Sequence, residues 1–512
     1  RRVDDDSEWF RFDRLFADLM RHRLARQDPP RLRRLHAAAS TWFADHGMLP
    51  EAVDHALAAN DAPGAARIIE ERGLELLERS KMATLLGLVA KLPPAYANTN
   101  PRLQLLVAWS DVTLQRLQPA RTALDMVEAM LDSGMRDETD TADMRAEVAL
   151  IRATSGLFAD DFDGLPELVQ QRLQQDASAG TIDSFFAMIG ANVASMCAMY
   201  EFDFDEARRW QRWAAPYHPK RKGPFGIVYG YCLSGIAASE QLDIAAAESE
   251  LRTGLALAQT IGMHSYGAQL ASALLGAIRY DVGDIAEAEA LLDESVALGP
   301  EFALVDIMIA TYAIGARVKS LRGDMDAAEA RLAEGAEIAK NLALPRLAAR
   351  IVNERVRIGL PIDPQDRDAL VQLPPYRRLP NTLHTLTAEF QQDSAIRLLL
   401  GAHSPAATEQ ACTRAEALVA EIAADNRPRA ITTAELLWAA CLSEAGRMEE
   451  AIAAAAPVLA RCAEHGLIRF VADEGRPLRR ILEALCADPT SAADIPRPFL
   501  RKVLTGYEVE RP

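Results

Sequence analysis

Gly283-Asp284-Ile285-Ala286-Glu287-Ala288-Glu289 and Gly323-Asp324-Met325-Asp326-Ala327-Ala328-Glu329 are two copies of one pattern, with their aspartates 40 residues apart. Glycine ends a helix in the left-handed conformation, and aspartate caps the next helix by accepting from its free N–H groups. Alanine four residues after the aspartate lets a second helix approach closely. Looser copies are Asp203 with Ala207, Asp243 with Ala247-Glu248, and Gly446-Arg447 with Ala451. The anchors 203, 243, 284 and 324 are 40, 41 and 40 apart, and the next, 447, lies 123 further on, or three periods of 41. Leu251, Leu292 and Leu332 follow their anchors by eight, and Ala258, Ala339 and Cys462 by fifteen. Glu206 and Glu287 are placed to complete a capping box. Any alanine-rich helical chain shows some small residues at helical spacing. Cap, small residue and leucine recurring together in one register argue instead for a repeat.

Two helices per ~40 residues predict an all-α, tetratricopeptide-like solenoid of helical hairpins, with a binding surface on its concave face. Period-two alternation is nearly absent, and apolar residues recur at helical spacing, as in Ile285, Ala288, Leu292 and Val296. Hydrophobic residues make up 49% of the 512 and charged residues 25%, an ordinary globular balance. Lys+Arg 56 against Asp+Glu 73 gives −17, a poor match for phosphate backbones or anionic membranes. We therefore expect no direct nucleic-acid or membrane binding by this chain. No apolar run approaches the ~20 residues that span a bilayer. The six cysteines form no C-x-x-C pair and read as reduced thiols of a cytoplasmic protein.

Toward the start of the chain, Trp9-Phe-Arg-Phe-Asp-Arg-Leu-Phe-Ala-Asp-Leu-Met-Arg precedes His46-Gly47-Met48-Leu49-Pro50-Glu51-Ala52-Val53-Asp54-His55-Ala56-Leu57-Ala58-Ala59-Asn60-Asp61. This resembles the MalT-like LuxR-family regulators, where a winged helix leads into a short helical domain. Leu92-Pro93, Asn100-Pro101-Arg102-Leu103 and Ala108-Trp109 are similar to the entry into that family's sensor solenoid. Gly223-Pro224-Phe225-Gly226 and Gly466-Leu-Ile-Arg-Phe-Val-Ala-Asp-Glu-Gly475 resemble elements of its repeats and their C-terminal end. Residues 120–200 and 345–440 contribute no motif. The resemblance implies the end of a winged helix over 1–27, a helical linker over 28–98, the sensor solenoid over 99–487 and a linker over 488–512.

Whole members of that family are ATP-dependent switches with a P-loop module in front and a helix-turn-helix behind. Neither is expected here. The sequence holds no G-x-x-x-x-G-K-[ST], none of its seven lysines follows a glycine, and the chain stops six residues after Gly506. We expect a fragment, beginning at Arg1, with no cofactor of its own. ATP or ADP with Mg is implied only for the absent nucleotide module.

No hydrolase or metalloprotease motif occurs, and enzyme activity is not expected of this chain. His36, His46 and His55 read as cap and interhelix hydrogen-bond partners rather than metal ligands. Eight arginines against three aspartates in residues 11–36 are either a contact for the preceding module or a salt-bridged helix surface. The compositional anomaly is aromatic: eleven of the chain's 31 aromatic residues lie between Ser184 and Tyr231. They either line an apolar pocket or fill space where a repeat has diverged. For a pocket the candidates are Tyr200, Trp210, Trp213, Tyr217, Tyr229 and Tyr231, whose polar tips can orient a ligand. Lys220 and Lys222 are placed to neutralise an anionic effector, or are simply solvated.

The resemblance implies an effector-sensing region. A small-molecule or protein effector would bind the solenoid and control ATP-dependent multimerisation and DNA binding through other domains of the same polypeptide, with self-association on activation. The alternative is a peptide-binding scaffold of co-chaperone type. Such clamps present several lysines along the groove, and seven spread over 512 residues fit that badly.

Overall fold

The computed structural model describes residues 14–133, 138–161, 164–179, 183–220, 223–260, 265–296, 304–487 and 494–507. They are helical throughout, with no strand among them. None of the described helices is long and apolar enough to cross a membrane. The chain divides into two compact units, Arg1–Val148 and Ala149–Pro512.

The first unit is a set of short helices punctuated by side-chain caps. Asp28 accepts from Arg31 N at 2.9 Å, Asp61 from Gly64 N at 2.8 Å, and Asn100 from Arg102 N at 3.0 Å. Pro follows each of these caps at the start of its helix, where a missing N–H costs nothing. Ala52, Val53, Ala65, Leu85 and Leu103 are fully buried between the helices. His36 and His55 meet across the Pro29–Asp45 and Leu49–Ala58 helices, Nδ1 to Nδ1 at 2.8 Å, and Phe43 stacks on His55. Burial, followed by nearby positive charge, holds both imidazoles below their ordinary pKa. His46 bonds the Trp42 carbonyl at the end of its helix. These histidines act as interhelix and cap partners, and no group of three or more metal-ligating side chains occurs among the described residues.

The second unit is a stack of helical hairpins. Ser184–Tyr200 pairs with Phe204–Ala214, Phe225–Glu240 with Ile244–Gln259, and Tyr266–Asp281 with Ile285–Val296. A helical run from Val305 to Leu321 pairs with Met325–Asn341, and Pro345–Arg357 packs on Thr382–Leu400, with the short Pro364–Gln372 helix against the latter. Thr382–Leu400 also pairs with Pro405–Ile422, and Pro428–Glu444 with Met448–Glu464, while Arg476–Ala487 packs on Pro428–Glu444 and Ile468–Ala472 on Arg497–Gly506. Asp203, Asp243, Asp284 and Asp324 each accept from the N–H three residues on. Ala207, Ala247, Ala288, Ala328 and Ala451 are completely buried, as are Leu292, Leu332, Ala258 and Cys462, and Leu251 is nearly so. The residue before the cap is left-handed in every copy: Gly283, Gly323 and Gly446 have φ of 91°, 81° and 77°. Phe202 and Leu242 adopt the same conformation without the help of glycine.

Contrary to the capping box that their spacing suggests, Glu206 and Glu287 do not reach back to the cap, because the Asp203 and Asp284 N–H groups already donate to the carbonyls of Ala198 and Arg279. Glu206 pairs with Arg209, and Glu287 with Arg252 and Arg279.

Candidate functional site

The first helix of each hairpin faces the interior of the second unit, and there the helices enclose a cavity of about 340 Å³. Part of its lining is apolar, with Phe202, Ile236, Ile309, Leu386, Phe390 and Leu437 among the residues. Ile309–Ile314 is a π-helical turn in the wall, a rare local widening that often accompanies function. The rest is polar or charged. Arg317, Arg346, Arg350, Arg357, Arg427 and Arg429 all line it, together with seven carboxylates.

A buried guanidinium is tolerated only when its donors find acceptors. Arg346, 1% exposed, reaches Asp160 at 2.7 Å and Asp306 at 2.9 Å. Tyr200 donates to Asp306 at 2.8 Å and lies under the same guanidinium, 5.3 Å from its ring centroid. Burial and the Asp306 charge push the Tyr200 hydroxyl well above its ordinary pKa, so it stays a donor. Arg427 pairs with Glu389 at 2.6 Å and covers the face of Phe202, and Arg429 pairs with Asp281 at 2.5 Å and covers Phe470. These stacks satisfy the flat face of the cation while its edge is hydrogen-bonded.

The largest network centres on the Pro345–Arg357 helix, whose Arg346, Arg350, Asn353, Glu354 and Arg357 form one stripe at helical spacing. Glu354, completely buried, holds Arg317 at 2.5 Å and Arg350 at 3.2 Å. Burial raises its pKa, but the two guanidinium groups outweigh that and leave it depressed. Arg357 reaches Glu474 at 2.8 Å and Asp393 at 3.4 Å, and Arg397 holds the same two carboxylates. Asp473 takes Arg317 at 2.9 Å, Arg469 at 2.5 Å and the Tyr280 hydroxyl at 3.0 Å.

Asp473 and Glu474 belong to the Ile468-Arg-Phe-Val-Ala-Asp-Glu-Gly475 segment. That segment ties into helices as much as 193 residues earlier in the chain. Arg429 likewise joins the Pro428–Glu444 helix to Asp281 and Ser239 of earlier helices. The concave side of this unit is thus laced by ion pairs between helices distant in sequence.

Of the eight residues marked in the sequence, the structure brings Tyr200 to the cavity wall. Trp210, Trp213, Tyr217 and Lys220 form a separate chain of ring contacts: Trp210–Trp213 at 5.7 Å, Trp213–Tyr217 at 5.3 Å and Lys220 Nζ 5.4 Å from the Tyr217 centroid. Tyr229 is buried between Phe158 and Phe225. Tyr231 is half-buried, with its ring 6.3 Å from His218 and its Cβ facing Gly254. Lys222 lies outside the described residues. Phe202 and Phe204, from the same aromatic concentration, line the cavity beside Tyr200. The interior arginines were not singled out in the sequence. The signal that could have found them is the polar stripe 346–350–353/354–357 inside an otherwise core-forming helix.

Residues 146–488 match the family model for the MalT-like TPR region. The chain belongs to that family. PknK, a serine/threonine-protein kinase of Mycobacterium tuberculosis strain H37Rv, is 42% identical over 477 residues, which is 93% of this chain and 42% of that protein. The HTH-type transcriptional regulator MalT of Klebsiella pneumoniae MGH 78578 is 33% identical over 176 residues, 34% of this chain and 19% of that one. A crystal structure of a Rap protein complexed with Competence and Sporulation Factor aligns with TM-score 0.41 and 12% identity, over 76% of this chain and 99% of that one. This MalT-like region, with its flanks, therefore spans less than half the length of the curated relatives it matches.

Proposed function

We propose that this chain is the effector-sensing region of a longer regulatory protein, with the effector seated in the cavity of residues 149–512. The observation that carries the proposal is the cavity itself: about 340 Å³, lined by apolar side chains and buried arginines together. Tyr200 is the sequence-marked residue that belongs to it. An occupant would shift the equilibrium of the repeats only through unequal affinity for their two states, by about 5.5 kcal/mol for a near-complete switch.

For the output we retain a MalT-type transcriptional activator, in which ATP and Mg at a module outside this chain drive multimerisation and DNA binding. The likeness of residues 9–61 to that family supports it. A second output, protein phosphorylation, is favoured by the 42% identity to PknK across 93% of the chain.

A thermal-shift screen of metabolites on the full chain tests the sensing role, repeated on the cavity-filling variant Ile309→Trp. Hits that vanish in the variant support it, whereas hits unchanged by the variant, or no hit at all, would reject it. The reading frame around this chain separates the outputs, through a kinase module or a P-loop and helix-turn-helix.

A further inference from the structure

The charges around Arg350 do not balance. Arg317, Arg350 and Arg469 share Glu354 and Asp473, Arg357 and Arg397 share Asp393 and Glu474, and Asn353 joins the two groups into one network by accepting from Arg350 and donating to Asp393. That is five cations against four anions, and none of the nine side chains is more than 13% exposed. The other walls of the cavity carry no such excess: Arg346 faces two carboxylates, Arg427 faces Glu389, and Arg429 faces Asp281 with Glu240 3.9 Å away.

The surplus falls on Arg350. Its carboxylate partner Glu354 is held more closely by Arg317, and its remaining contacts are the Asn353 side-chain oxygen and the face of Phe390. Burial, aggravated by Arg317 and Arg357, lowers its pKa to about 10, which is unusual for a guanidinium. Two helical turns on, the Arg357 Nε is buried and finds no acceptor. Both residues line the cavity, Arg350 over the face of its apolar Phe390.

We propose that the cavity takes an amphiphilic anion, with a carboxylate or phosphate head on an apolar body, and that Arg350 and the Arg357 Nε hold the head. An anion there brings the network to neutrality and supplies the missing acceptor, while the apolar body lies against Phe390, Leu386 and Ile309. The inference rests on the sensing role proposed above and names the chemistry of its ligand.

Isothermal titration of the full chain with octanoate, octyl phosphate, inorganic phosphate and octanol tests it. We expect the two amphiphilic anions to bind, the stronger of them showing which head is preferred, with the free phosphate and the alcohol at least about tenfold weaker. Arg350→Met should weaken both amphiphiles by about tenfold or more while leaving the melting temperature unchanged or raised, because it leaves four cations facing four anions. Should that variant fail to fold, Phe390→Ala is expected to weaken the amphiphiles without changing the response to inorganic phosphate. Octanol binding as well as octanoate, or octanoate binding unaffected by these variants, would overturn the inference. If neutral metabolites bind in a manner sensitive to Ile309→Trp and both anions do not, the anion site falls and the sensing role stands. If nothing of either class binds, both fall.

Discussion

At the scale of single residues, the interior of residues 149–512 depends on ions that, Arg350 excepted, cannot be removed one at a time. Replacing Arg346 by Met leaves Asp160 and Asp306 facing each other without their shared cation, and should lower stability by about 3–5 kcal/mol in urea denaturation. Glu354→Gln should cost a similar amount at neutral pH, since it strips a carboxylate from Arg317 and Arg350. Its pH dependence has a definite sign. The folded pKa of Glu354 is depressed from 4.5, so its contribution is complete above 4.5 and disappears as pH falls through the lower folded value. Denaturation curves of the parent chain and Glu354→Gln should therefore converge on acidification below 4.5, and a constant gap would contradict the assignment. None of these residues was singled out in the sequence. Net charge averages over the whole chain, and a polar stripe on one helix reads as a solvated face until carboxylates dozens to hundreds of positions away are seen to converge on it. Tyr200 was picked out because an aromatic with a polar tip carries its own signal, independent of neighbours. The same signal also marked Trp210, Trp213 and Tyr217, which contact one another away from the cavity.

At the scale of the element, the hairpin turns were readable wherever glycine and aspartate spell them. The register from Asp203 to Asp324 matches the structure residue for residue. Besides the left-handed Ala343 (φ 54°) at the end of the Met325–Asn341 helix, the unmarked stretch before Gly446 holds two further left-handed turns, at Gly359 (φ 77°) and His403 (φ 49°). At the second, Ser404 takes the place of aspartate and caps Ala407 N. At the first, the cap moves out to Asp363, ahead of the short Pro364–Gln372 helix. The grammar is the same in different residue types and with a shifted spacing, which a fixed motif does not detect. The turns supply a matched pair of predictions. An added Cβ meets nothing within 4 Å at Gly323 or at Gly87. Gly323 is left-handed, so Gly323→Ala should cost about 1–2 kcal/mol. Gly87 is in the Met82–Ala90 helix, so Gly87→Ala should gain about 0.5–1 kcal/mol. Denaturation midpoints that moved in the same direction would show that the backbone is not the cause. Asp324→Ala should lose about 1 kcal/mol through its cap alone.

At the scale of the whole chain, a solenoid ordinarily behaves as a sum of repeats and neighbour contacts, so that trimming one end costs one repeat. The second unit should not. Truncation after Leu467 removes Asp473 and Glu474 and leaves Arg317, Arg357 and Arg397 buried with fewer anions than cations. Hydrogen exchange in the truncated chain should accelerate throughout residues 305–400, as well as in the neighbouring Met448–Glu464 helix. Acceleration confined to that last helix would mean that the lacing contributes little. The repeat architecture was legible from local spacing, because each hairpin is specified by its own forty residues. The lacing was not, because its partners sit in different repeats at separations that share no period. The segment from Ile468 to Gly475 also changes what kind of object this array is. An open stack has no intrinsic length, and a hairpin can be gained or lost by duplication without disturbing the rest. Here Asp473 must arrive opposite Tyr280 and Arg317, and Arg429 opposite Asp281, which happens for only one number of intervening hairpins. The array is counted, and inserting a forty-residue unit between Leu321 and Arg429 would put every one of those ion pairs out of phase.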